Sequence, residues 1–264
     1  MKKIFLVVLI MMLAACSSTA EKPQASDETK EVTVYFVSDT PRGFKLFSEQ
    51  RSITANSDTF ATQVISQLVS GSLQPLDPDY VNLWDYSHAL NGVDFSDGTA
   101  TVDLSLGKLN VGAEGEIRAI EQIVWTLTGL APNPTQVNFL VNGEPIESFA
   151  GHVDTTSTFE RAPDYEVLNP LQITSILDGS EIENPIIITG DACTFEANVV
   201  WELTQNGERI AGGFTTAGAA CPERSPWQIS LEDLTPGEYV FAVQEFSAED
   251  GSLFAIDTKS FSVN

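Results

Sequence analysis

Three cysteines, two histidines and 37 carboxylates are the residues of this 264-residue chain that could do chemistry. A nucleophilic cysteine needs a base beside it. No histidine falls in the segment that holds Cys193 and Cys221, and there is no Cys-x-x-Cys. Outside the cytoplasm such a pair suggests a disulfide, which would close a loop of about 29 residues and stabilise by roughly 3.6 kcal/mol. The alternative is two unpaired thiols, because spacing alone carries no geometry. His88 and His152 could titrate near neutrality or join a Ser/His/Asp set. They stand without a nucleophile motif, since Gly-x-Ser-x-Gly, His-Glu-x-x-His and the P-loop are all missing from the sequence. The acidic pairs Asp77/Asp79, Asp94/Asp97, Glu114/Glu116 and Glu181/Glu183 could serve glycoside hydrolysis or bind Ca²⁺. None sits in a twelve-residue calcium loop, and with so many acids chance pairs are expected, so they read as solvated surface. Tyr80, Trp84 and Tyr86, with Asp85 and His88 beside them, form a candidate binding loop. Aromatics among polar groups stack on sugars or anchor protein partners, although large aromatics also pack into cores. No enzyme activity, cofactor or metal is expected from this inventory.

Thirteen basic residues against the 37 acidic ones give a net charge of −24. Such a surface repels phosphate backbones, which argues against nucleic acid as a partner. Lys2 and Lys3 precede an apolar stretch, Ile4 to Leu13. Ten helical residues rise only about 15 Å, half a hydrocarbon core, so the segment reads as an export signal and not a span. It closes in Leu13-Ala14-Ala15-Cys16, which resembles the bacterial lipobox. That resemblance implies a signal peptide over 1–15, transfer of a diacylglyceryl group to the Cys16 thiol with cleavage before it, and a membrane anchor on the extracytoplasmic face. Residues 16–31 are polar and aperiodic and read as a tether.

The elements that must position these residues fall into two bodies. In the first, residues 32–160, Val32 to Val37 and Phe44 to Phe47 predict strands. A helix capped by Ser57 or Asp58 carries Ala61, Val64, Ile65 and Leu68 on one face and ends near Gly71. Val93 to Leu104 predicts a hairpin turning at Asp97-Gly98. Ala113, Ile117, Ile120, Val124 and Leu127 form a helical stripe, and Gln136 to Val141 a last strand. The order β-α-β-β-α-β predicts an α+β fold with helices on a mostly antiparallel sheet. Residues 161–169 read as a linker. Residues 170–264 alternate as seven strands, with turns at Asn206-Gly207, Pro236-Gly237 and Asp250-Gly251, which fits an immunoglobulin-like β-sandwich.

Leu90-Asn-Gly-Val-Asp-Phe-Ser-Asp-Gly-Thr-Ala-Thr-Val-Asp-Leu-Ser105, the helix through Val124-Trp-Thr-Leu127 and Val137-Asn-Phe-Leu-Val-Asn-Gly143 together resemble the GerMN domain of sporulation and germination lipoproteins. Ser72 and the stretch Asp77 to Ser87 depart from that pattern. Ile173 to Gly190, Thr194 to Leu203 and Glu245 to Ser252 resemble the immunoglobulin-like Gmad2 domain, which frequently follows it. The resemblance implies a non-catalytic lipoprotein of the cell envelope that docks on a protein partner in sporulation, germination, or envelope assembly or sensing. A basic patch on that partner would complement the acidic surface. The alternative is a module that binds peptidoglycan or another cell-wall glycan.

Overall fold

The computed structural model describes residues 26–264. The predicted signal segment, Cys16 and most of the predicted tether lie outside the described residues. The first module opens with a long hairpin, β1 (Asp27–Thr40) and β2 (Gly43–Asn56), paired antiparallel from Asp27↔Asn56 to Thr40↔Gly43. The apolar pattern predicts a strand only from Val32, yet the ladder continues through 27–31. The β1 side of this end is polar; backbone bonds and a 2.6 Å hydrogen bond between the hydroxyls of Thr29 and Thr54 pair it with β2, whose Ile53 and Ala55 are buried in the core. Strand β2 runs well past Phe47, to Asn56, with Ile53 and Ala55 on its buried face.

A single 3-10 turn at Ser57–Thr59 leads into α1 (Phe60–Val69). The side-chain cap sits on this turn, one residue earlier than the sequence predicts: Asp58 N donates to the Asn56 side chain, while Thr59, at the N-cap of α1 itself, makes no such bond. Strands β3 (Ala89–Ser96) and β4 (Thr99–Ser105) join through Asp97 and Gly98, whose φ of 49° and 78° is the left-handed pair that a tight hairpin turn requires. Helix α2 (Ala113–Leu127) then crosses over to β5 (Gln136–Val141), which pairs parallel to β4. The strands thus form a two-stranded hairpin and a three-stranded sheet, β3-β4-β5. Val34 and Phe36 of β1, Ile65 and Leu68 of α1, Ile120 and Ile123 of α2, and Val102 and Leu104 of β4 fill one core between them.

A one-turn helix, α3 (Asp164–Val167), ends the connection to the second module. This connection is docked along its length. Val167 packs against Tyr35, Val37, Leu46 and Trp125, and Lys45 Nζ donates to Glu166 O at 2.6 Å.

The second module is a sandwich of two sheets. One has the order β10 (Glu208–Thr216), β9 (Asn198–Gln205), β12 (Gly237–Phe246), β13 (Leu253–Val263), β7 (Ser180–Ile182). The other has the order β11 (Ser225–Leu231), β8 (Ile186–Ala192), β6 (Leu171–Ile173). Strand β7 adds to the seven predicted; at three residues it is too short for a periodic signal and pairs in parallel with the end of β13. Val199, Leu203, Trp227, Phe241 and Phe261 are among the side chains between the sheets.

Cys193 and Cys221 are bonded, with Cα atoms 4.4 Å apart, and close the β9–β10 hairpin into a loop. Replacing both with alanine is expected to cost about 2–4 kcal/mol in urea unfolding. Reductant should lower the stability of the wild-type chain but leave the double variant unchanged.

Candidate docking site at the module junction

The structure disperses the aromatic loop that the sequence offers as a binding surface. Trp84 is 1% exposed and its Nε1 donates to Ala119 O of α2 at 3.0 Å. His88 is buried against Trp84, and burial lowers its pKa below that of free histidine. Tyr80 is buried too, stacked on Phe47 with centroids 4.6 Å apart. Only Tyr86, 94% exposed, remains at the surface, so the four residues form no shared platform. The physical reason is that the segment from Gly71 to His88 covers the helices. Asn82 Nδ2 donates to Leu68 O and Leu73 O, and Leu83 N donates to the Gln122 side chain. His152 lies near the end of the first module, far from His88 in sequence, and its backbone N–H donates to Glu116 Oε2 at 2.8 Å.

Tyr80 instead belongs to a buried polar cluster that joins the two modules. Lys259, on the inward face of β13, pairs with Asp77 and lies 3.3 Å from Asp257 Oδ1. Its Nζ is also 2.9 Å from Tyr80 OH, which donates to Asp257 Oδ1 at 3.1 Å. Asp257 Oδ2 accepts from Ile173 N of β6 at 2.7 Å. Asp77, Asp257 and Lys259 are each about 95% buried. Their positions follow from local structure. β13 reads Ala255-Ile-Asp-Thr-Lys-Ser-Phe-Ser-Val263, and the period of two puts Asp257 and Lys259 on the same face as Ala255, Phe261 and Val263. That alternation was the signal in the sequence for an inward ion pair. Its partner, Asp77, is 182 positions away and could not be read from it.

Burial pushes the Asp257 carboxyl up to about 6, a rise that Lys259 opposes without cancelling. Burial alone would lower the Lys259 pKa, but Asp257 and Asp77 outweigh it and raise it. Burial, followed by the neighbouring Asp257 and Asp77 charges, holds the Tyr80 phenol well above its usual range. The folded chain therefore binds the Asp257 proton more tightly than the unfolded chain, whose aspartates titrate near about 3.9. The sign is fixed: this contribution is complete below about pH 4 and is lost as pH rises toward about 6. Stability of the wild type relative to Asp257→Asn should fall across that window, as read by urea unfolding at a series of pH values.

Further contacts surround the cluster. Ser48 N and Oγ donate to Gln172 Oε1 at 3.1 and 3.0 Å, and Gln172 Nε2 returns a bond to Ser48 O. Arg42, in the β1–β2 turn, lies 4.1 Å over the Phe254 ring. Arg224 bridges Asp164 of α3 to Asp191 of β8 and donates to Asn169 O at 2.7 Å. Beside the cluster, a cavity of about 430 Å³ opens between the modules, lined by Ser38 to Thr40, Phe44, Phe47, Asp79 to Val81 and Ile256 to Thr258. Such clefts between domains are common binding sites. Among the described residues, no group of three or more His, Cys, Asp or Glu is placed to hold a metal ion, and no helix is long and apolar enough to cross a membrane.

An α+β module locked to an immunoglobulin-like sandwich defines the class. The Germane family, described as sporulation and spore germination, matches residues 33–147, and Gmad2, the immunoglobulin-like domain of bacterial spore germination, matches residues 171–252. The chain belongs with the proteins that carry a GerMN-type Germane domain followed by a Gmad2 domain. Neither is a family of known enzymes. Among solved structures, a candidate lipoprotein from Clostridium perfringens is 24% identical, with a TM-score of 0.35, over 52% of this chain and 92% of that one. The first GerMN domain of the sporulation protein GerM from Bacillus subtilis is 22% identical, with a TM-score of 0.40, over 50% of this chain and 98% of that one. The tandem GerMN domains of the same protein are 19% identical, with a TM-score of 0.43, over 78% of this chain and 62% of that one. No curated protein is similar enough to the chain to count as a match.

Proposed function

We propose that this chain is a lipoprotein, moored through acyl groups on Cys16 to the outer face of the bacterial cell membrane, that docks a protein partner without transforming it. The setting is a sporulation, germination or envelope-assembly complex; spore germination is the context that both of its domain families name. The observation that carries the docking reading is the junction. A buried network of charges holds two modules, each without an assembled reactive set among the described residues, in one fixed relation. A display surface benefits from such rigidity, because ordering costs are met before the partner arrives. The basic side chains are largely consumed inside the molecule, in pairs such as Arg51–Glu49, Arg118–Glu121 and Arg224–Asp191. What faces outward is acidic and suits a basic partner surface.

Crosslinking in cells, followed by identification of what is captured, tests this reading. A reproducible protein partner supports it. Retention on purified cell wall with no captured protein would instead favour the glycan-binding reading. Mass spectrometry of the mature N-terminus should find two or three acyl chains on Cys16; a free thiol there would remove the anchor.

A further inference from the structure

Strand β10 is an edge of the five-stranded sheet, and among the described residues β9 alone pairs with it. No turn or loop backbone among those residues bonds to 208–216 either, so one row of its N–H and C=O groups is left open. Such a row specifies its own ligand, because only another extended backbone satisfies it along its length. The other edges of the sandwich are guarded. Strands β6 and β7 are three residues long, and β11 carries Pro226. Strand β10 has neither lysine nor proline. Thr215 Oγ1 donates to Gln228 O of β11 at 3.2 Å, which ties down the inner side of the strand and leaves its outer face alone. Past a bulge at Arg209, exposure alternates strictly from Ile210 to Thr216. Phe214 is 74% exposed and Ile210 48%, both on the outer face with Gly212 midway between them.

That spacing is self-complementary. Two antiparallel copies centred on Gly212 set Ile210 of each opposite Phe214 of the other, with glycine against glycine in the middle. The Arg209 guanidinium lies where a Gly212 side chain would stand and is 3.8 Å from Glu202 of β9, so the crossing carries charges that cancel. Glu208 falls opposite Thr216 at the two far ends. On a chain of net charge −24, β10 is thus an edge where a second copy meets little repulsion.

We propose that β10 pairs antiparallel with β10 of a second copy of this chain about a two-fold axis at Gly212, joining the five-stranded sheets of two molecules edge to edge. The inference is independent of the docking reading, which concerns a different protein.

The test uses two full-length variants in an excess of detergent micelles, Ile210→Cys and Phe214→Cys, each with its own affinity tag and oxidised by copper phenanthroline. The wild-type chain, oxidised alongside, sets the background. Pairing about Gly212 places 210 of one copy opposite 214 of the other and never opposite itself. The mixture should therefore give a disulfide-linked heterodimer at about ten times the yield of either variant alone. Equal crosslinking by the single variants would mean another register and overturn the proposal. So would a mixture that stays at background. Hydrogen exchange of the wild-type chain needs no variant. Amides within 210–214 should exchange more slowly as protein concentration rises, while those of β12 stay unchanged. Phe214→Lys should weaken the association about tenfold, since an outward lysine is a usual guard of an edge strand. Exchange in β10 that is indifferent to concentration, or slowed equally in the lysine variant, would count against a second copy on this edge.

Discussion

Replacing Lys259 with methionine should lower the unfolding free energy by about 3–5 kcal/mol, the usual cost of removing one partner from a buried ion pair. Methionine keeps most of the volume of the lysine stem, so the loss reports charge and not a cavity. The variant leaves Asp77 and Asp257 facing one another without the ammonium and deprives Tyr80 OH of a neighbour 2.9 Å away. Asp257→Asn should be milder, roughly 1–2 kcal/mol, the range for one mismatched hydrogen-bond position. The amide retains an acceptor for Tyr80 and Lys259 but brings an N–H₂ toward Ile173 N. Urea unfolding of the two variants ranks them. Equal losses would mean that the cluster is held by hydrogen bonds alone.

The second large effect is expected far from the junction. Glu116, in the first turn of α2, is completely buried. Its Oε1 accepts from Ser148 Oγ at 2.6 Å and from the N–H groups of Phe149 and Ala150 at 2.8 Å. Its Oε2 accepts from the N–H groups of His152 and Val153 at 2.8 and 3.2 Å. Burial would raise the pKa of this carboxyl, but the Ser148 hydroxyl and the backbone donors of Ala150, His152 and Phe149 together hold it below the usual glutamate value. One side chain thus satisfies the backbone of a loop with no ladder of its own. Glu116→Ala strands five donors and should cost about 3–5 kcal/mol, since bonds to a charged acceptor are worth roughly 1.5–3 kcal/mol each and do not add. Glu116→Gln keeps one acceptor oxygen and should cost about half as much. Hydrogen exchange provides the local readout: the amides of residues 149, 150, 152 and 153 should lose protection in the alanine variant before α2 does.

Most of the fold was legible because its signals are local. The turn at Asp97-Gly98, the stripe from Ala113 to Leu127 and the alternation of the sandwich strands each announce an element from within a dozen residues. Where the chain departs from those expectations, long-range pairing made the decision. Residues 27–31 join β1 because β2 lies alongside them, and three-residue β7 exists because β13 supplies an edge. The site was less legible. Glu116 was visible as half of an acidic pair, yet its five donors come from a loop more than thirty positions on. Tyr80 and Trp84 were visible as aromatics in a polar stretch, the pattern of a ligand platform. Their hydrogen-bond partners, Asp257 and Ala119 O, are distant in sequence, and those partners draw both side chains inward. Asp257 and Lys259 stood on the inward phase of a strand, which is itself an anomaly that alternation exposes.

Scanning calorimetry of the chain tests most directly whether the two modules act as one body. The junction described here predicts a single cooperative transition, with calorimetric and van't Hoff enthalpies in agreement, that broadens or divides when Lys259 is replaced with methionine. Two resolved transitions in the wild-type chain, unchanged by that substitution, would contradict it.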